Sequence, residues 1–452
     1  MRMLKPPIDP FISQYASTKE PQTYQTMKKI TLFLLTISFA CMAQERPQAT
    51  AVVMTPELTQ VVIDTLSKAL ITNYVFTDKA RVMSEYLKGQ LAKGAYRAIK
   101  DPQQFAARIS ADLQTACPDL HMGFHFDARM AQMGAPPPMR APNPHQDSLR
   151  NADMAERNFM FTASEILPGN VGYVKFNGFM DVSPAAKETV TAAFRFVRHT
   201  KALIIDLRDN HGGSPQMVKQ VASYFFADRT RVNDIIVPNK RDTAKGWTDP
   251  TATDGLILRM PVYVLTSSNT VSAAEDLAYA MQATKRGTIA GEKTAGGSHP
   301  VGPVFLGHGF VAGIPFAHSY NIHTGTEWEG VGVIPDIALN ADASLEDVTS
   351  TLFPNSWAAN QHKAVDRPVD PQAVQAYLGT YEGGLKFYVK EGALYCENPE
   401  RGNQVFKLRY ISPGYFQLDE NVQIKFGQQQ GGASGMQFYW SNGGISFKQK
   451  IQ

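Results

Sequence analysis

The sequence predicts an α/β protein: a helical N-terminal subdomain, a central domain with a mostly parallel sheet, and a small antiparallel β-domain at the C-terminal end. Three observations carry this. Between 158 and 345, strand-like apolar runs alternate with helical patterns, which gives parallel strands covered by helices. Over 52–130, apolar residues recur at mixed three-and-four spacing. Over 371–452, short aromatic and β-branched runs are separated by Gly, Asn and Pro at close intervals.

Residues 1–43 read as a leader that is absent from the mature chain. Met27-Lys28-Lys29 is basic, Ile30 to Ala40 is an apolar run of eleven, and Cys41-Met42-Ala43 ends in small residues. Basic, apolar, small is the order of a secretory signal peptide, here starting at about residue 27, with Gln44 first after cleavage. Eleven apolar residues are too few to span a membrane as a helix, so no stable span is expected. The protein is expected to be exported, periplasmic or extracellular. The alternative, a lipid anchor on Cys41, is disfavoured by Ser38-Phe39-Ala40 ahead of it. The 452-residue chain has 44 Lys and Arg against 41 Asp and Glu; removing the leader leaves 39 of each. A neutral body without a basic run argues against nucleic acid as a partner. Outside the leader, only Cys117 and Cys396 remain, and they read as two inert thiols.

The elements follow in order. Leu58, Val61, Val62, Leu66, Leu70 and Val75, then Leu87, Leu91, Tyr96 and Ile99, then Phe105, Ile109 and Leu113 give three or four short amphipathic helices. Residues 131–157 hold Pro136-Pro137-Pro138, Pro142 and Pro144 and read as a flexible insertion. In the central domain, 171–176, 202–207, 262–267 and 287–291 are strands, and 184–198, 215–226 and 272–285 are helices.

Chemistry concentrates at three loops and one strand. Asp206-Leu207-Arg208-Asp209-Asn210-His211-Gly212-Gly213 follows an apolar strand and precedes Ser214-Pro215, a helix start. Its Gly-Gly turn is either a tight turn or an anion cradle of backbone N–H groups. The second loop leads from 262–267 into Ser272-Ala273-Ala274-Glu275. Ser272 thus starts a helix beyond a strand's carboxyl end, where open α/β sheets bind ligands. Read alone it is first of all an N-cap, but a hydroxyl there can attack a carbonyl while Ala273 N–H binds the oxyanion. The strand is Asp119 to Phe126. Its alternation puts Leu120, Met122, Phe124 and Phe126 on the core side and Asp119, His121 and His125 on the other. The two histidines are then about 13 Å apart, too far to share a metal ion. Each is a surface histidine or, more sharply, a general base. The third loop, Glu327 to Asp336, is largely explained by its glycines and proline, with Glu329 a solvated acid or an orienting partner for a histidine.

Together these pieces resemble the serine peptidase family that includes the C-terminal processing proteases, the tricorn core protease and interphotoreceptor retinoid-binding protein. The family's D-x-R-x-N-x-G-G is matched by Asp206 to Gly213, its S-A-x-E by Ser272 to Glu275, and its E-x-x-G-V-x-P-D by Glu329 to Asp336. The resemblance covers roughly 52–340 and implies a crotonase/ClpP-like catalytic core over 158–345. Processing proteases pair the serine with a lysine 25 positions downstream, but here that position is Gly297, and Lys293 lies four residues short. The short Pro-rich interval before 171 also leaves no room for that branch's PDZ domain. The tricorn-like branch instead uses a histidine and a glutamate, which match His121 and Glu329. Its relay serine before the histidine is Leu120 here, so Glu329 contacts His121 directly or Asp119 takes the orienting role.

The resemblance therefore implies Ser272 as nucleophile, His121 as base, Glu329 as orienting acid, and Ala273 with Gly212 or Gly213 as oxyanion donors, with His299 a reserve base. Neither metal nor organic cofactor is implied. The expected substrate is a peptide or an unfolded protein. The rival reading is a non-catalytic binding protein for apolar small ligands, as in the retinoid-binding relatives.

Overall fold

The computed structural model describes residues 52–133, 143–354, 356–361, 363–428 and 434–451. The leader, its signal peptide and Cys41 lie outside these residues, as do prolines 136–138 and 142. The flanks of that proline stretch are helical, at Ala128–Met133 and Pro144–Glu156, where a flexible insertion is expected from composition. Among the described residues no helix is long and apolar enough to cross a membrane.

Three helices open the described chain: α1 (Pro56–Asn73), α2 (Thr77–Ala92) and α3 (Pro102–Ala116). Two of them begin the same way. Thr55 and Asp101 cap the N–H groups of Leu58 and Gln104, and Pro56 and Pro102 follow at the first helical position, where a missing N–H costs nothing. Val62, Leu66, Leu70, Leu87, Phe105, Ile109 and Leu113 are buried, as their spacing predicts, and Ile63 and Met83 join them, whereas Val61 is exposed. Their partners come from a distant part of the chain. The strand β1 (Gly123–Phe126) pairs antiparallel with a later strand, Phe310–Pro315, and Phe310, Ala312 and Ile314 pack into the same core as the helices.

Beyond β1 the chain forms a six-stranded sheet. Its strands are β2 (Phe161–Leu167), β3 (Val171–Phe176), β4 (Ala202–Asp206), β7 (Val262–Thr266), β8 (Gly287–Gly291) and β12 (Ile337–Ala338), in the order β12-β8-β7-β4-β3-β2. All neighbours are parallel except β2–β3. The crossovers are helices Pro184–Phe196, Pro215–Ser223 and Ala273–Ala283, within two or three residues of the ranges the sequence predicts. The strands β4 and β7 are adjacent, so the loops that leave their carboxyl ends lie side by side. Between these central strands, β5 (Asn233–Val237) and β6 (Asp242–Ala244) form a separate three-stranded sheet with β11 (His318–Asn321). Strands β9 (Val301–Gly307) and β10 (Phe310–Pro315) complete the sheet that β1 joins.

From Gly379 to Gln449 the described chain is antiparallel β, in a four-stranded and a five-stranded sheet. Tyr381, Phe387, Leu394, Phe416, Ile424, Phe426 and Met436 form a core of their own. Cys117 and Cys396 are buried free thiols.

Candidate active site

The D-x-R-x-N-x-G-G loop is held by its own polar residues. Asp206 is fully buried, accepts from Tyr173 Oη at 2.8 Å and pairs with Arg208. Arg208 also donates to the carbonyls of Ala341 and Ala343. Asn210 Nδ2 donates to Phe176 O at 2.8 Å, and its Oδ1 accepts from Gly212 N–H at 2.9 Å. The motif's charged and amide groups are thus braces. What they brace is the Gly-Gly turn. Gly213 has φ +136°, and a Cβ there would lie 2.1 Å from Phe179 O, so only glycine fits. A Cβ on Gly212 would meet Ser272 Cβ at 2.9 Å and Ala273 N at 3.0 Å, which puts the turn directly against the start of the helix Ala273–Ala283.

Ser272 starts that helix with φ 58° and ψ −119°, a strained conformation for a residue with a side chain. Glu275 holds it there. Its carboxylate is completely buried and accepts from Ser272 N–H at 2.9 Å, Thr294 Oγ1 at 2.5 Å, Gly296 N–H at 2.6 Å and Gly297 N–H at 2.8 Å. Burial pushes the Glu275 carboxyl up against the pull of these donors. Glu275 therefore joins the helix start to the 294–297 loop. The sequence contains the signal, a serine followed three residues later by glutamate, but the function of that pair as a clamp on a remote loop is visible only in three dimensions.

One cavity of about 300 Å³ collects the chemistry. Its lining includes Ser272, Ala273, Gly213, His121, Gly297 and His299. A larger cavity, of about 580 Å³, lies by α1 and α2 and contains none of the motif residues. Gly212 N–H is committed to Asn210. Among the described residues, no acceptor is bonded to Gly213 N–H or Ala273 N–H, so of the two glycine alternatives it is Gly213, with Ala273, that remains for an anion.

His121 reaches the cavity by a different backbone path from the one the sequence suggests. The strand covers only Gly123–Phe126; Asp119 to His121 is a turn, closed by Met122 N–H on Asp119 O and by His121 N–H on Asp119 Oδ1 at 3.0 Å. The Asp119 side chain mimics a backbone turn and breaks the alternation. Leu120 is consequently 58% exposed instead of core, and His125, on the strand proper, faces solvent. The His121 ring is half-buried and its Nδ1 has no hydrogen-bond partner among the described residues. Burial holds its pKa below the ordinary histidine value, His299 adds to this, and Asp119 opposes it. At Gly297, a Cβ would lie 2.7 Å from His121 Cε1.

His299 is 2% exposed and surrounded by acids. Its Nδ1 donates to Asp119 Oδ2 at 2.8 Å and lies 3.6 Å from Glu329 Oε2; its Nε2 is 3.7 Å from Glu327 Oε1. Burial works against its charge, but the Asp119 bond and the two glutamates outweigh it and push the imidazole up to about 9. Glu327 is correspondingly held down at about 2. Asp119, His299 and Glu329 each offer a ligand atom within 4.8 Å of the others, a spacing that could accept a cation; a protonated His299 would offset part of the carboxylates' charge. Glu329 accepts from Ser298 N–H at 2.6 Å, and among the described contacts none joins it to His121. Of the two orienting arrangements expected, the structure has a bond only from Asp119, to the His121 backbone. Lys293 is exposed and outside the cavity lining.

Comparison with known proteins bears on the family of the chain. Residues 170–339 match the model of peptidase family S41, and residues 47–159 match the model of the N-terminal domain of that peptidase in eukaryotic interphotoreceptor retinoid-binding protein. The chain is 28% identical over 199 residues to a chloroplastic C-terminal processing peptidase of Tetradesmus obliquus, covering 41% of this chain and 39% of the relative. It is 34% identical over 133 residues to a carboxyl-terminal-processing protease of Synechocystis, covering 28% of this chain and 29% of the relative. The matched part thus spans well under half the length of these relatives. Among solved structures, the photosystem II D1 C-terminal processing protease is similar over 67% of this chain and 98% of its own, at 19% identity and a TM-score of 0.44. The two family models lie in order and together span more than half of the residues, and the chain belongs to peptidase family S41.

Proposed function

We propose that this chain is an exported serine peptidase that hydrolyses peptide bonds in peptides or unfolded proteins. Ser272 attacks the scissile carbonyl. His121, neutral near pH 7 because burial lowers its pKa, takes the serine proton and returns it to the leaving amine. Ala273 N–H and Gly213 N–H receive the oxyanion; removing one such donor costs ~100- to 1000-fold in turnover. Asp119 fixes the turn that presents His121. The His299 imidazolium offsets part of the negative charge of Asp119, Glu327 and Glu329 around it. Glu329 acts through Ser298 and His299 and not on the base itself.

The observation that carries this reading is at Gly297. The position where processing proteases place their lysine has no side chain here, and the ring of His121 lies 2.7 Å from where a Cβ would stand. One base replaces another in the same space. The basic, apolar and small order of residues 27–43 supports export.

The test is covalent labelling by a fluorophosphonate together with hydrolysis of a peptide library. The wild type should label on Ser272 and cleave peptides. Ser272→Ala should lose both, and His121→Ala should lower kcat/KM by ~10⁴-fold or more, because the pair acts as a unit. Glu329→Gln should cost less. An inactive His299→Ala beside an active His121→Ala would move the base to His299. A wild type that neither labels nor cleaves, yet binds apolar ligands, would favour the binding-protein alternative.

A further inference from the structure

Among the described residues one acid lines the cavity, Asp276, and the mechanism leaves it unused. Asp276 follows Ser272 by one helical turn, so the two residues share a face of the helix Ala273–Ala283, and both line the cavity. Its Oδ1 accepts from Asn233 Nδ2 at 2.5 Å, and the same amide donates to Asp276 O at 2.9 Å. Asn233 is in turn fixed by Asn321, whose Nδ2 donates to Asn233 Oδ1 at 2.6 Å. Both asparagines are buried, at 4% and 0% exposure, and face each other across the β5–β11 pair. Two buried amides are costly unless each finds partners, and here they orient one carboxylate.

That carboxylate lacks a cation. Among the described residues no Lys, Arg or His comes within ion-pair distance of Asp276, although every other acid buried in or beside the site is paired or multiply hydrogen-bonded. Lys219 acts on Asp276 only at longer range, and its Nζ donates to Lys245 O. No described donor reaches Asp276 Oδ2. Burial raises the carboxyl to about 6, the cost of a charge held without a counter-ion. The same cavity is also lined by Ile235, Phe316 and Trp328. Apolar walls ending in a fixed, unpaired acid match a side chain with an aliphatic stem and a cationic tip.

We propose that Asp276 is a specificity-determining residue that selects substrates with Lys or Arg flanking the scissile bond. This rests on the peptidase reading of Ser272. The counter-charge that the fold withholds from Asp276 is supplied by the substrate, and binding it brings the reacting carbonyl to within one helical turn of the carboxylate.

The experiment uses the full mature chain and two peptides that differ only in lysine or norleucine beside the cleaved bond, with cleavage sites mapped by mass spectrometry. The wild type should prefer lysine by ~10- to 100-fold in kcat/KM, the range of a charge-assisted contact in a desolvated pocket. In Asp276→Asn, which keeps the shape and the Asn233 contact, that ratio should collapse towards one. The ratio is internally referenced, so a general loss of activity leaves it readable, and the wild-type ratio stands even where the variant does not fold. Labelling of Ser272 together with equal cleavage of both peptides by the wild type would overturn the assignment and leave the peptidase reading intact. A lysine preference that persists in Asp276→Asn would overturn it as well. Absence of both labelling and cleavage would overturn the peptidase reading, and this one with it.

Discussion

Two histidines line one cavity, and their surroundings give them opposite charge states near neutral pH. Among the described residues each has one buried ring nitrogen without a hydrogen-bond partner, Nδ1 of His121 and Nε2 of His299, but the pKa of His121 is lowered, whereas His299 has three carboxylates around it and a pKa near 9. A general base must be neutral to act, so the two candidates differ in pH profile. With His121 as the base, the rate of fluorophosphonate labelling should rise along a limb below the ordinary histidine value of about 6.5. A limb near pH 9 would identify His299 instead. His299 should show itself in stability. Its folded pKa is raised, so its contribution is complete below about pH 6.5 and is lost as pH rises through about 9. The melting temperature should therefore fall over that window, and the fall should shrink in His299→Asn. Gly297 tests the same geometry from the other side. Gly297→Ala adds one methyl 2.7 Å from His121 Cε1 without placing the residue in a left-handed conformation. It should displace the base and lower kcat/KM by ~10- to 100-fold, as small misplacements of catalytic groups do.

At the scale of elements, the site is a junction of two loops from adjacent parallel strands with a helix start, a remote turn and the 294–299 segment. Glu275 is the clamp on that junction, with four donors from two places in the chain. Glu275→Gln removes the charge and turns one acceptor into a donor facing N–H groups. The expected loss is about 2–4 kcal/mol of stability, with reduced labelling at permissive temperature; a neutral result in urea unfolding would show that the loop is held elsewhere. Much of this scale is legible in the sequence. The alternation of strands and helices over 171–291 and the three motifs fix the sheet and the loops that leave it. The error at Asp119–His121 has a definite cause. Period-two alternation does not distinguish a strand from an Asx turn that happens to lead into one, and the decisive bond is a side chain to a backbone N–H two residues on. The choice between Gly212 and Gly213 as donor is likewise beyond sequence, because it depends on one hydrogen bond that Gly212 N–H donates to Asn210 Oδ1.

At the scale of the whole molecule, the regions on either side of the central sheet are joined to it in different ways. The N-terminal helices share one core with Phe310, Ala312 and Ile314, and β1 takes its ladder from β10. No linker in the sequence announces this, since the partners lie nearly 200 positions apart, and helical periodicity shows which face is apolar without showing what covers it. Among the described residues, the core of the C-terminal β region takes nothing from before Val369. Its links to the rest are few and peripheral: the Val365–Tyr410 bridge, Gly169 N–H on Ser441 O, Arg409 on Ala364 O, and Asn360 near Tyr415 Oη. We therefore expect deletions to behave asymmetrically. Removing 366–452 breaks a handful of polar contacts and exposes little of the central cores, so the shortened chain should fold, label on Ser272 at close to the full-length rate, and melt only a few degrees lower. Removing 52–130 strips the cover from Phe310, Ala312 and Ile314 and takes His121 with it, so that variant should be insoluble or unfolded. Circular dichroism and fluorophosphonate labelling of both variants decide the matter. An unfolded 366–452 deletion would mean that the β region is part of one cooperative unit with the sheet, and that the proposed boundary near residue 365 does not exist.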